Sequence, residues 1–169
     1  MSISMYRASA PVFLQFLPAL AGCLKKAADH AAAKKIDAAV LLQSRLYPDM
    51  FPLVKQVQIA TDFAKGTVAR LAGQEPPKFE DSETTFDDLQ ARVQKTIDYV
   101  KEFKPSQLDG SEERDITLTF GTNTRNFKGE GYLTGFALPN FFFHAATAYA
   151  ILRHNGVELG KGDFMRGPA

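Results

Sequence analysis

Phe136-Ala-Leu-Pro-Asn-Phe-Phe-Phe-His144-Ala-Ala-Thr-Ala-Tyr149-Ala-Ile-Leu-Arg-His154-Asn-Gly156 decides the fold of this chain. Pro139 suits a first helical turn, whose amides lack partners anyway, and Gly156 suits the left-handed residue that closes a helix. Between them nearly every residue is apolar, so protein must cover most of the circumference. The spacing therefore predicts a buried helix that other helices surround. It also carries two of the three histidines of the chain, which makes it the first place to look for chemistry.

Three more segments repeat an apolar face every three and four residues. Ser9 can cap the first, with Pro11 in its opening turn. Phe13, Phe16, Leu17, Leu20, Leu24, Ala27, Ala28 and Ala31 then make one face, bent at Pro18 because proline has no amide to donate. Asp37 can cap a short piece from Ala38 to Leu46, and Tyr47-Pro48-Asp49 turns the chain. A long helix follows over about Phe51 to Ala72, with Val54, Val57, Ala60, Thr61, Ala64, Val68 and Leu71 facing inward. Gly66 within it suggests close approach of a neighbouring helix. Gln74 to Thr85, with Pro76-Pro77 and the acidic run Glu80, Asp81 and Glu83, reads as a surface crossing. Thr84 or Thr85 then caps a helix from Phe86 to Phe103, in which Phe86, Leu89, Val93, Thr96, Ile97 and Val100 form the stripe while Arg92, Lys95, Asp98, Lys101 and Glu102 face water.

The period changes at Asp115-Ile-Thr-Leu-Thr-Phe120, which alternates strictly and predicts a strand paired in a hairpin with Arg125 to Lys128. Gly129, Gly131 and Gly135 read as a flexible approach to the last helix. Val157 to Phe164 has too few apolar residues for another element and is expected to lie along the surface. Together these elements call for an all-α chain, a four-helix bundle with long crossover connections and a small β-hairpin before the last helix.

A chain of 169 residues, 45% apolar and 23% charged, is the size of one domain, taken as residues 1–169. Twenty basic residues against nineteen acidic ones leave a net charge of +1, which gives no general field for nucleic acid, and none is expected as a partner. The single Cys23 excludes an intrachain disulfide and fits a reducing, cytoplasmic setting. Leu20-Ala-Gly-Cys23 matches the pattern before a lipid-modified cysteine, but Pro11, Gln15 and Pro18 interrupt the apolar run and its helical spacing continues past Cys23. No stretch is expected to reach the length needed for a transmembrane helix.

Nucleotide-binding loops and nucleophile elbows are missing from the sequence. His144 and His154 cannot share a ligand, because ten residues of helix separate them by about 15 Å along the axis and roughly 80° around it. A chelating partner for His144 would stand four residues on, and position 148 is Ala. His144 thus reads either as a buried histidine hydrogen-bonded to a polar group on a neighbouring helix or as a general acid/base, or solitary ligand, helped by Asn140, Gln58 or Asp62. His154 suits the negative end of the helix dipole. His30 reads as half-exposed, and Cys23 as inert packing.

Met5-Tyr-Arg-Ala-Ser-Ala-Pro-Val-Phe-Leu, Leu42-Gln-Ser-Arg-Leu-Tyr-Pro-Asp-Met-Phe-Pro-Leu, Phe79-Glu-Asp-Ser-Glu-Thr-Thr-Phe and the last helix resemble a bacterial and fungal family of unknown function near the DinB/YfiT-like superfamily of four-helix bundles. The resemblance implies a DinB-like bundle. Its relatives carry one histidine on the second helix and a His-x-x-x-His pair on the fourth, where this chain has Gln56, Gln58 or Asp62 and then His144 with Ala148. It therefore implies a degenerate triad, with no metal and no cofactor, and it admits a homodimer. Three readings follow. The first is a polar-lined pocket for a small molecule, formed by Arg45, Tyr47, Asp49, Gln56, Asp62, Asn140 and His144. The second is a small-molecule transferase or hydrolase using His144 as its catalytic residue. The third is a non-catalytic dimeric interaction protein.

Overall fold

The computed structural model describes residues 3–166. Helix α1 (Ala10–Lys34) starts with Pro11 in its first turn and buries Phe13, Leu17, Leu20, Leu24, Ala27 and Ala31. Ser9 occupies its N-cap position, yet its hydroxyl donates back to the Met5 carbonyl oxygen (2.6 Å) instead of accepting a helix amide. Pro18 stays inside the helix without ending it. Lys35 closes α1 at φ 56°, and the Ile36 amide donates to the Ala31 carbonyl oxygen at 2.9 Å. Asp37 caps α2 (Ala38–Leu42) by accepting from the Ala39 amide at 2.9 Å. This helix ends four residues before Leu46: the Ser44 amide turns back to Leu41, and the Ser44 carbonyl is held by the amide of Leu53, the first residue of α3.

Helix α3 (Leu53–Leu71) is buried over most of its circumference and stops before Gly73, whose φ of 74° favours glycine. Helix α4 (Phe86–Lys101) opens with a complete capping box between Thr85 and Asp88. After the single turn α5 (Pro105–Leu108), strands β1 (Asp115–Phe120) and β2 (Asn123–Lys128) pair antiparallel, with Ile116 opposite Phe127 and Leu118 opposite Arg125. Most of the chain is helix, and the hairpin is a two-stranded sheet.

The glycine-containing approach to the last helix is itself helical. Helix α6 (Gly129–Tyr132) runs through a π-helical turn, Leu133–Ala137, into α7 (Leu138–His154), giving 26 continuous residues. Pro139 has no amide to give to the Gly135 carbonyl, and the helix passes this point in a wider i→i+5 turn instead of breaking. Asn140 supports the turn, its Nδ2 donating to the Phe136 carbonyl at 2.7 Å. With these added turns the helix becomes long and apolar enough to cross a membrane by length and composition alone, a length no stretch of the sequence was expected to reach, and 44% of that window is buried inside the fold. Its buried residues, including Phe141, Ala145, Ala148, Ile151 and Leu152, belong to the common core.

Four long helices enclose that core: α1 packs on α4, α4 on α3, α3 on α7 and α7 on α1. Phe13 meets Phe141 edge-on at 5.0 Å between ring centroids, and Phe16 meets Phe142 at 4.8 Å, so aromatic pairs join α1 to α7. The tail forms α8 (Lys161–Arg166), a helix where a bare surface segment was expected. Its few apolar residues suffice because they dock on α1: Phe164 lies between Phe16 and Tyr149, Asp163 pairs with Lys26 at 2.7 Å, and Gln15 holds the Met165 carbonyl.

Candidate site around His144

Helices α3 and α7 bring Gln56 and His144 together in the core, 1% and 9% exposed. Gln56 Nε2 donates to the Phe51 carbonyl oxygen at 3.0 Å, which turns its Oε1 toward the imidazole. His144 Nδ1 lies 2.7 Å from that Oε1. An amide oxygen only accepts, so Nδ1 carries the hydrogen and Nε2 keeps its lone pair in the neutral ring. Burial holds the imidazole below its ordinary pKa, which favours this neutral form at neutral pH. Phe63 lies nearly parallel to the imidazole, at 14° and 6.2 Å between centroids, and Phe143 meets it edge-on at 5.1 Å. Among the described residues, Ser111 Oγ is the one side-chain polar atom sealed from solvent without a partner. The partnerless Nε2 of His144 is therefore not fully sealed, on a residue that is 9% exposed. It is an acceptor at a narrow rim, held by an anchor in the core.

The other expected pocket residues do not gather around it. Asn140 serves its own helix turn. Arg45, Tyr47 and Asp49 lie in the exposed α2–α3 connection, where Arg45 Nη1 donates to the Met50 carbonyl at 3.3 Å. Asp62 turns away to Arg92 Nη2 (2.8 Å) and Lys65 (2.7 Å). Of the remaining histidines, His154 is exposed at the end of α7, and His30 lies on α1 in a groove with Asn155 and Gly156.

The largest polar cluster was misread in the sequence. Arg92 is not water-facing: its side chain is 2% exposed and contacts Asp62, Asp81 (3.1 Å) and Glu83 (3.0 Å). Its Nε donates to Thr61 Oγ1 at 2.8 Å and its Nη1 to the Glu80 carbonyl at 3.0 Å. Lys55 pairs with Asp81, and Gln58 Nε2 donates to Glu83 at 2.7 Å. Burial works to raise the Asp81 carboxyl, but the hydrogen bond and charge of Lys55, and then Arg92, outweigh it and hold the group below its usual range. Lys65, Arg92 and Lys95 surround the Phe79 ring. The acidic crossing from α3 to α4 is thus strapped to both helices by one buried guanidinium. The readable signal was position: Arg92 lies three residues after Leu89 and four before Thr96, on the inward stripe.

Gly66 also differs from its reading. The atom nearest to a side chain at position 66 would be Arg70 Nη1 of the same helix, not a neighbouring helix. Cys23 is 1% exposed, and burial, with Asp163 adding and Lys26 opposing, pushes its thiol up to about 11. It is packing, and the residues before it, Phe13, Leu17 and Leu20, belong to the same core.

A histidine-rich metal site does not fit these residues. Ala148, one turn beyond His144, is wholly buried, and Gln56 presents a neutral amide oxygen already bonded to the imidazole N–H. Among the described residues no three His, Cys, Asp or Glu side chains are placed around one point that could hold an ion.

Residues 5–165 match the family described as "Domain of unknown function (DUF1993)", and the chain belongs to that family. A crystal structure of a DinB family member protein from Shewanella denitrificans is similar to it at 40% identity, covering 95% of this chain and 90% of that one, with a TM-score of 0.85. The family is thus DinB-like in fold. No curated protein matches the chain.

Proposed function

We propose that this DUF1993 protein is a DinB-type four-helix bundle with a degenerate metal triad, in which His144 works without a metal as a neutral hydrogen-bond acceptor or general base toward a small molecule. The observation that carries this reading is the Gln56 contact at 2.7 Å, which commits Nδ1 as donor and leaves Nε2 its lone pair. A base whose pKa lies below the ordinary histidine value stays unprotonated at neutral pH and can take a proton from an acidic O–H or N–H. No nucleic acid or membrane enters this reading, and a cytoplasmic location accords with the lone buried thiol.

Carbethoxylation by diethylpyrocarbonate, mapped by peptide mass spectrometry, tests the accessible lone pair. His144 is expected to react in the folded protein with a rate that rises through its depressed pKa. Reaction of His154 and His30 with complete protection of His144 would refute the proposal, as would stoichiometric zinc or nickel in purified protein that His144→Ala loses.

A homodimer is a second reading with its own support. Tyr47, Phe51 and Phe143 are 66%, 54% and 58% exposed, and Gln56 ties the Phe51 segment to the residue following Phe143. They put large apolar surface beside the His144 rim. Light scattering of the wild type and of Phe143→Glu tests it: a dimer that the substitution dissociates supports this reading, and a monomeric wild type excludes it.

A further inference from the structure

A cavity that His144 does not line lies where α3 meets β1 and the α6–π segment. Its volume is about 520 Å³, within the range of small-molecule sites. Phe63 and Phe136 form aromatic walls with ring centroids 5.7 Å apart, and Thr117 to Thr119 of β1 close the other side. Arg70 enters this space. Its Nη1 donates to the buried Tyr132 hydroxyl at 3.3 Å, and among the described residues it makes no ion pair. A guanidinium has five N–H donors, so four remain for a ligand.

The helix is built to hold Arg70 in this position. Gly66 lies in the middle of α3, where glycine costs about 1 kcal/mol relative to alanine. Apart from the helix backbone, the three atoms nearest to a Cβ at position 66 all belong to the Arg70 guanidinium. The missing side chain therefore makes room for that group to lie along its own helix. Two carboxylates also line the cavity. Asp62 is already engaged by Arg92 and Lys65, and Glu75 is exposed at the mouth, where water screens it. The free charge in the interior is positive, beside flat apolar walls. Tyr132 and Phe136 flank and occupy the π turn, a distortion that often marks functional positions.

We propose that this cavity binds a small aromatic carboxylate, its anionic group on Arg70, which Tyr132 Oη holds in place, and its ring against the edge-to-face pair Phe63 and Phe136. The geometry makes Arg70 the charge-recognition residue and Gly66 its positioning residue.

Amide NMR titration of the full chain with benzoate, benzyl alcohol and benzylamine tests the assignment. Benzoate is expected to shift the Thr117 to Thr119 amides saturably, with benzyl alcohol and benzylamine weaker by roughly tenfold or more, the usual effect of losing a charge-assisted hydrogen bond. Arg70→Met is expected to lose that preference. Gly66→Ala keeps the charge but displaces the guanidinium, so it is expected to lose the preference while unfolding at an equal or higher temperature, which shows that the loss is not misfolding. Arg153→Met, which removes a solvated cation of α7, leaves benzoate binding unchanged. No saturable shift with benzoate, preference for benzylamine, or unchanged benzoate binding in Arg70→Met would each overturn the proposal. So would Gly66→Ala that folds normally and binds benzoate as the wild type does.

Discussion

Replacing Arg92 with methionine keeps most of the side-chain volume and removes one charge and its hydrogen bonds. The consequence follows from what remains. Asp62 and Asp81 are 41% and 38% exposed and keep Lys65 and Lys55 as partners, so their losses are those of solvated pairs, each about 0.5 kcal/mol. Glu83 is 9% exposed and keeps only the neutral Gln58 amide, so its carboxylate becomes a partly buried charge without a counter-ion. Thr61 Oγ1 and the Glu80 carbonyl each lose a charged donor. These inner terms bring the expected loss to about 3 kcal/mol, the lower end for breaking a buried ion network. For a domain of this size that corresponds to a Tm lower by about 6–12 °C. Urea unfolding followed by circular dichroism measures it, with Lys95→Met as the exposed comparison expected to change stability by less than about 0.5 kcal/mol. A loss below about 1 kcal/mol for Arg92→Met would refute the reasoning, since Arg92 would then behave as a surface ion pair and not as the strap of the α3–α4 crossing.

Two further outcomes follow from the same geometry. Gly129 begins α6 where a Cβ would fall on the Ser111 carbonyl oxygen, and the Glu130 amide is bonded to Glu112 at 3.0 Å, so Gly129→Ala is expected to cost about 3 kcal/mol by forcing two backbones apart, read by thermal unfolding. His144 sets a pH dependence. Its folded pKa is depressed, so the unfolded chain takes up a proton first as pH falls below about 6.5, and the contribution to stability, full above that value, is lost toward the folded pKa. Denaturant midpoints of wild type and His144→Gln between pH 7.5 and 5 are expected to converge as the pH falls.

The periodic segments of the sequence made the helical architecture legible, because apolar spacing and capping residues act locally. The strict alternation at Asp115 to Phe120 likewise gave the hairpin, now paired from Asp115 with Lys128 to Phe120 with Asn123. Long-range compensation was not legible. Gly129, Gly131 and Gly135 read as flexible, yet helix continues through Gly129 and Gly131 and the π turn spans Gly135, because contacts with Ser111, Glu112 and Phe63 reward helix there more than glycine penalises it. Arg92 read as solvated because its partners come from a crossing 9 to 12 residues earlier and from α3. Gly66 pointed to a close approach, but only the structure shows that the approaching group belongs to its own helix. At the candidate site, the absence of a histidine partner at Ala148 was readable directly. Which polar residue meets His144 depended on the rotation of α3 against α7, and that rotation selects Gln56 and turns Asp62 away.

The tautomer of His144 bears most directly on the functional reading. Long-range nitrogen–proton NMR correlation at pH 7.5 is expected to give His144 as neutral imidazole with hydrogen on Nδ1 and a lone pair on Nε2, and to show that state losing its dominance in Gln56→Leu. A proton on Nε2, or an imidazolium at that pH, would contradict the account, because no acceptor or base would then face the rim.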